Sequence, residues 1–170
     1  SVDIDVLGND SDVDSSLSIA SVTQPSLGSV SNNGTNVTFN PGTDFDSLNA
    51  GESATVTFTY TTNTGETENV TVTINGVDDA TVTAPDSATT TENAAVDISV
   101  LGNDSDVDDT LTIASVTQPG SGSVTHDGTN VTFDPGTDFD SLNAGESATV
   151  SFTYTTNTGK TENVTVTING

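Results

Sequence analysis

The chain has 170 residues, in which 25 Asp and Glu face a single Lys and no Arg, for a formal net charge of −24; it has no Cys, Met or Trp, and one His. The absence of Cys excludes disulfides and thiolate metal sites, and the charge makes nucleic acid and anionic lipid surfaces repel the chain. No apolar run approaches the roughly 18 residues of a membrane helix, no secretory leader stands at the start, and the 31% apolar residues alternate regularly, so the acidity sits on a folded body.

Reading from the first residue, Leu7-Gly8-Asn9-Asp10 recurs as Leu101-Gly102-Asn103-Asp104, and Asn75-Gly76 recurs as Asn169-Gly170. At this offset of 94, residues 1–76 align with 95–170 without a gap and 63 of 76 positions are identical. Such tandem duplication signals an array. The period is too long for solenoid repeats of about 20–50 residues and suits the roughly 100 residues of an immunoglobulin-like sandwich. Residues 77–94 have no counterpart at the front. We therefore expect a complete module over 77–170 and, over 1–76, a module lacking its first strand, as if cut from the middle of a longer array. The alternating segment Ala80–Ala84 is the expected first strand of the complete module.

The first module carries Asn9-Asp10-Ser11-Asp12-Val13-Asp14, then Asn33-Gly34, a hairpin signal, then Asp44, Asp46 and Glu52. The junction reads Asn75-Gly76-Val77-Asp78-Asp79-Ala80, and the second module repeats the series. Strands are expected at Val96-Asp97-Ile98 with Val100, at Leu111-Thr112-Ile113 with Val116, and at Val131-Thr132-Phe133. In Glu146–Tyr154, Ala148, Val150, Phe152 and Tyr154 share one face while Ser and Thr occupy the other, the period of a half-buried antiparallel strand. The loop Thr156–Lys160 joins it to Val164–Ile168 as a hairpin. No segment has a helical apolar stripe, and Pro is confined to loops such as Gln118-Pro119 and Asp134-Pro135. The expected fold is all-β: tandem immunoglobulin- or cadherin-like β-sandwich modules of about seven antiparallel strands each.

The acidic loops, Asp10, Asp12 and Asp14 in one copy and Asp104, Asp106 and Asp108 in the other, place oxygen ligands at every second residue, which can converge on a hard cation such as calcium. The downstream Gly and twelfth-position Glu of an EF-hand are absent. The bland alternative is a solvated acidic surface that holds no specific ion. Catalysis is not expected: His126 stands in a turn beside Asp127-Gly128 and is Asn32 in the other copy, and Lys160 is replaced by Glu66.

The stretches TENAAVDISVLGNDSDVDDTLTIASVTQP, FDSLNAGESATVSFTYT and TVTINGVDDA resemble the VCBS-type and cadherin-like repeats of giant bacterial surface adhesins of the repeats-in-toxin (RTX) class. The resemblance spans nearly the whole chain. It implies an extracellular extender domain on the bacterial, Gram-negative cell surface, rigidified by calcium and serving adhesion and biofilm formation. Its partners would be neighbouring repeats of a monomeric, elongated array. In cadherin-like arrays calcium lies between modules; carried onto this sequence, that set is Glu52, then Asn75, Asp78 and Asp79, then Asp104 and Asp106. Glu92 resembles the early Glu whose site lies at the far end of its own module, where Glu146 would join it. The sequence departs from cadherins in having Ala50-Gly51 before Glu52, where they carry Asp-Arg. A rival reading is a carbohydrate- or cell-surface-binding module, for which Phe45 and Phe139 are the best exposed aromatic candidates, although a plug over the core suits them better. Homotypic adhesion is a third reading, without an interface signature.

Overall fold

The computed structural model describes residues 1–170, which form thirteen strands and no helix; no helix is therefore long and apolar enough to cross a membrane. The chain divides into two units, Ser1–Asp79 and Ala80–Gly170, a division three residues beyond the repeat boundary at Gly76.

The first unit holds β1 (Val2–Ile4), β2 (Ile19–Val22), β3 (Ser29–Asn32), β4 (Val37–Asn40), β5 (Ser53–Thr62) and β6 (Thr67–Asn75). They form two three-stranded sheets, ordered β1-β4-β3 and β2-β5-β6. The second unit holds β7 (Asp86–Thr91), β8 (Val96–Ile98), β9 (Ile113–Val116), β10 (Ser123–His126), β11 (Val131–Asp134), β12 (Ser147–Thr156) and β13 (Thr161–Asn169). Its sheets are β10-β11-β8 and β7-β13-β12-β9. Every pairing is antiparallel except β7 on β13, which is parallel and runs in continuous register from Val164↔Asp86 to Asn169↔Thr91.

The period-two pattern of β12 orders the core. Phe152 and Tyr154 point inward and are buried, and Phe152 stacks on Phe133 of the opposite sheet at 6.5 Å and 10°. Phe139, in the loop after β11, closes the end of the core edge-on to Phe133; Phe45 does the same against Phe39. The outward row is made of hydroxyls. Thr117 pairs with Thr153, and Thr155 with Thr161, at 3.1 and 3.0 Å, so that the polar face is bonded across strands. Two glycines per unit are dictated by close approach. A Cβ on Gly76 would lie 2.2 Å from the Asn49 carbonyl oxygen, and one on Gly28 (φ +72°) would strike the Phe39 ring at 2.8 Å.

Two sequence expectations need correction. Ala80–Ala84 is not the first strand of the second unit: Val82 makes only an isolated bridge to Ser105, and the strand is Asp86–Thr91. That strand escapes an apolar-alternation reading because its inward residues are Ala88 and Thr90, small and polar side chains suited to a sheet edge. His126 is the last residue of β10, not a turn residue. The turn is Asp127–Asn130, capped by the Asp127 carboxylate accepting from the Thr129 and Asn130 amides.

The two units differ most along one strand. Val164, Val166 and Ile168 on β13 are 0% exposed, whereas their sequence equivalents Val70, Val72 and Ile74 on β6 are only half-buried, because nothing corresponds to β7 there. Partial exposure of three branched side chains forfeits about 1 kcal/mol each. We expect calorimetry of the full chain to show two transitions, the lower belonging to the first unit. Val166→Ala should lower only the upper transition, by about 1–3 kcal/mol; unfolding of both units at one temperature would contradict the assignment.

Candidate metal centres at the ends of each unit

The antiparallel ladder of β12 and β13 runs from Ser147↔Asn169 to Thr155↔Thr161 and defines two ends of the second unit, about 30 Å apart for a ten-residue strand. Acidic groups collect at both.

At the hairpin end lies the Asn103–Asp109 loop. The Tyr154 hydroxyl donates to Asp104 Oδ2 at 2.7 Å, and the Ala84 amide donates to Asp104 Oδ1 at 3.1 Å. Asp106 Oδ1 accepts from the amides of Asp108 and Asp109, while its Oδ2 accepts from the Thr81 hydroxyl at 2.6 Å. The Thr81 bond, followed by the Asp108 side chain, holds the Asp106 carboxyl down at about 2. Asp86, at the start of β7, faces the same cluster. Burial, then the charge of Asp104, pushes its carboxyl up to about 6, and its Oδ2 is buried without a hydrogen-bond partner. Burial and the bond to Asp104 drive the Tyr154 hydroxyl far above the normal tyrosine range.

The first unit repeats this end without its cover. Tyr60 donates to Asp10 Oδ2 at 2.7 Å, and Asp12 Oδ1 accepts from the amides of Asp14 and Ser15 at 2.8 and 2.7 Å. Asn9, Asp10, Asp12, Glu66 and Glu68 line an open pocket of about 310 Å³. The Tyr60 hydroxyl is pushed up to about 12 by burial and then by Asp10.

At the opposite end of the second unit, Asn169 is paired with both Thr91 and Ser147. Its carbonyl accepts from the Glu92 amide at 2.9 Å, and the Glu146 carbonyl accepts from the Gly170 amide at 3.0 Å. The topology thus brings Glu92, Glu146 and Asn169 to one end. Glu146 Oε2 accepts from the Asn143 amide and side chain at 2.8 and 3.0 Å, and the backbone bond foremost lowers its pKa. Glu92 Oε2 is buried and has no hydrogen-bond partner. In the first unit, the Glu52 carbonyl accepts from the Gly76 amide, and Asp46, Asn75 and Asp79 line a pocket of about 230 Å³. Asp78 and Asp79 belong to the first unit and the Asp104 loop to the second.

Two other acids have structural duties. Asp44 and Asp138 accept from the amides of Gly28 and Gly122, at 2.6 and 2.7 Å, and staple one loop to another. Sequence reasoning did not single out Asp86, Thr81 or Glu162, whose charge adds to the upward shifts of Asp86 and Tyr154. The first two lie in the segment without a repeat counterpart, and Glu162 is an isolated acid in a threonine-rich strand, so none carries a motif. The aromatic platform that a sugar site would need is absent from the surface: all six Phe and both Tyr are buried. The expected plug role of Phe45 and Phe139 is what the structure has.

These shifts set the pH dependence of the second unit. Asp86 titrates near 6 when folded against an ordinary 3.8, so the folded state takes up a proton first and stability rises as pH falls from about 7 toward 4. Asp106, Asp127 and Glu146 are shifted down, so their contribution is lost as pH falls below their ordinary range. The melting temperature of the second unit should therefore peak between about pH 4 and 6. Asp86→Asn should remove the component of the rise due to this carboxyl, and an unchanged profile in that variant would refute its role. Tyr154→Phe, which strips Asp104 of a charge-assisted bond, should cost about 1.5–3 kcal/mol in urea unfolding at neutral pH.

Among solved structures, the chain is similar to extracellular cadherin domains 1–4 of protocadherin gamma B7 (15% identity, 91% of this chain and 41% of that one, TM-score 0.41). It is also similar to a tri-modular GH5 endo-β-1,4-glucanase from Bacillus licheniformis (13%, 90% and 33%, TM-score 0.30), and to mouse protocadherin-24 EC1-3 (20%, 90% and 57%, TM-score 0.31). It thus spans less than two thirds of each. No curated protein sequence matches it. The model of the bacterial Ig domain matches twice, over residues 1–75 and 78–169, nearly the entire chain. With two β-sandwich units that coincide with those matches, the chain belongs to the bacterial Ig domain family.

Proposed function

We propose that this chain is a structural extender: consecutive spacer modules of a bacterial cell-surface adhesin of the repeats-in-toxin class, stiffened by calcium bound at the module ends. The observation that carries the reading is the polarity of the second unit. Two acidic groups stand at opposite ends of one long hairpin, and the faces between them are ladders of threonine hydroxyls. An enzyme or a sugar-binding module has different needs. Here there is no Cys, the single His is exposed, and no aromatic ring is available for stacking.

The donor set suits a hard cation, being made of carboxylates and amide carbonyls. Glu92 Oε2 supports the fit, since a buried carboxylate oxygen with no hydrogen-bond donor is expensive unless a cation satisfies it. Glu92, Glu146 and Asn169 would hold the ion at the far end of the second unit, and Glu52, Asn75, Asp46 and Asp79 at that of the first. The loops of Asp10, Asp12 and Asp14, and of Asp104, Asp106 and Asp108, are the candidates at the other ends. Asp104 and Asp106 already serve protein donors with both oxygens, so they would have to share their remaining lone pairs. A bound cation would neutralise crowded carboxylates and restrict the short connection Val77-Asp78-Asp79. An extracellular location accords with such a module, since extracellular calcium sites bind at about 10⁻⁴–10⁻³ M.

At about 1 mM calcium and a Kd of about 10⁻⁴ M, each site adds about 1.4 kcal/mol to stability. Calorimetry of the chain in calcium and in EGTA should show both transitions lowered by chelation, and solution scattering should show a shorter maximum dimension. Glu92→Gln with Glu146→Gln should abolish the calcium response of the second unit alone. Superimposable melting and scattering curves with and without calcium would leave an acidic but ion-free spacer.

A further inference from the structure

Asn33-Gly34 sits in the hairpin turn between β3 and β4, away from the acidic clusters, and is one of three Asn-Gly pairs, with Asn75-Gly76 and Asn169-Gly170. Asn33 Oδ1 accepts three bonds: from the Thr35 amide at 3.0 Å, the Thr35 hydroxyl at 2.9 Å and the Asn36 amide at 2.8 Å. Three donors on one carbonyl oxygen draw electron density from Cγ, as an oxyanion hole does, and make that carbon a better electrophile. The next nitrogen in the chain is the amide of Gly34, which is bonded to the exposed Asn32 side chain at 3.2 Å. Gly34 has φ +93°, and a Cβ built on it would meet nothing within 4 Å, so the space beside this glycine is open.

The comparable sites are closed off. The Gly76 and Gly170 amides donate to the Glu52 and Glu146 carbonyls at 2.9 and 3.0 Å, and a Cβ on either glycine would strike the backbone carbonyl oxygen of Asn49 or Asn143. Asn40 Oδ1 accepts from the Gly42 amide, but the residue after Asn40 is Pro41, which has no N–H to lose. The second unit shows what the Asn33 turn can hold. The residue there is Asp127, and its Oδ1 accepts from the Thr129 amide, the Thr129 hydroxyl and the Asn130 amide at 2.8, 2.8 and 2.7 Å. These bonds, that of the Asn130 amide foremost, hold the Asp127 carboxyl down at about 2.

We propose that Asn33 is a self-modifying residue: its carboxamide closes on the Gly34 amide, releases ammonia and is hydrolysed to a carboxylate. The Gly34 nitrogen gives up its proton and bonds to Asn33 Cγ. The Cγ–Nδ2 bond breaks, and Nδ2 leaves as ammonia with that proton. The cyclic imide that remains takes up one water. Opening at Cγ leaves an ordinary aspartate at position 33, whereas opening at the backbone carbonyl leaves an isoaspartyl linkage with an extra methylene in the main chain. Only the first product keeps the turn, because the Asn32↔Val37 pairing and the bond from the Ile19 amide to the Gly34 carbonyl need a backbone of unchanged length. A carboxylate in this place also accepts the same three bonds more strongly than a neutral amide does. The reaction thus gives the first unit the turn that the second unit already carries, with one more negative charge.

The test incubates the full 170-residue chain at mildly alkaline pH in heavy-oxygen water and follows each Asn by peptide mapping with tandem mass spectrometry. Asn33 should gain a carboxyl carrying one solvent oxygen, at a rate at least about tenfold that of Asn75, since an amide tied into backbone structure reacts only through local opening. Asn40 should gain no labelled carboxyl. In urea that unfolds the chain, Asn33 and Asn75, each followed by Gly, should react at similar rates. Asn33→Asp should leave the lower melting transition in place; a fall in that variant would overturn the fit of the product to the turn. A folded chain in which Asn33 keeps its carboxamide, or loses it no faster than Asn75, excludes the proposal. So does a preference of that size that survives in urea, because the fold would then not be its cause.

Discussion

A half-buried carboxylate must be supplied with donors, and the organisation of each unit follows from how one such group is satisfied. Asp104 takes the hydroxyl of Tyr154, a core residue on the longest hairpin, and the amide of Ala84, in the segment leading to the first strand. The bond to Tyr154 fixes the acidic loop onto the sheet, and the bond to Ala84 brings in the strand that covers β13. A tyrosine buried at this position has its hydroxyl in a poor dielectric, where an ionised acceptor is worth more than a neutral one. The result is a loop of aspartates held in place by the core rather than one left to solvent. The same pair, Tyr60 and Asp10, is present in the first unit, where its loop is anchored without the covering segment.

Charge and hydroxyls divide the surface between them. The sheet faces carry cross-strand threonine pairs, which satisfy one another and offer neither charge nor grease to a passing surface. Carboxylates are concentrated in loops at the strand ends, with Asp44 and Asp138 the notable cases of acids used wholly as staples for neighbouring amides.

The two units are a controlled comparison made by gene duplication. With 63 of 76 aligned residues identical, differences in burial along β6 and β13 are not differences in side-chain chemistry. They follow from the presence of β7 beside β13, and they show how far a peripheral strand of mostly small and polar residues decides whether a sheet's edge counts as core. Ala88 and Thr90 bring little apolar area of their own, yet with β7 in place the three branched residues of the neighbouring strand become fully buried.

Local chemistry and period were enough to read the all-β class, the duplication, the inward rows of the long hairpin, the aromatic plugs and the existence of three acidic clusters per repeat. Each depends on residues within a few positions of one another, or on self-comparison. What only the tertiary structure decided is which acids face which partners. Asp104 belongs to a tyrosine 50 residues away, Asp106 to a threonine 25 residues before it, and Asp86 to a cluster it never approaches in sequence. The position of the first strand within residues 77–94 was likewise not legible, because an edge strand paired on one side needs no apolar alternation and is recognised by register alone. The sequence determined where charge is dense; the fold decided which carboxylate oxygens are spent on hydrogen bonds and which, Glu92 Oε2 and Asp86 Oδ2, are left buried without a donor.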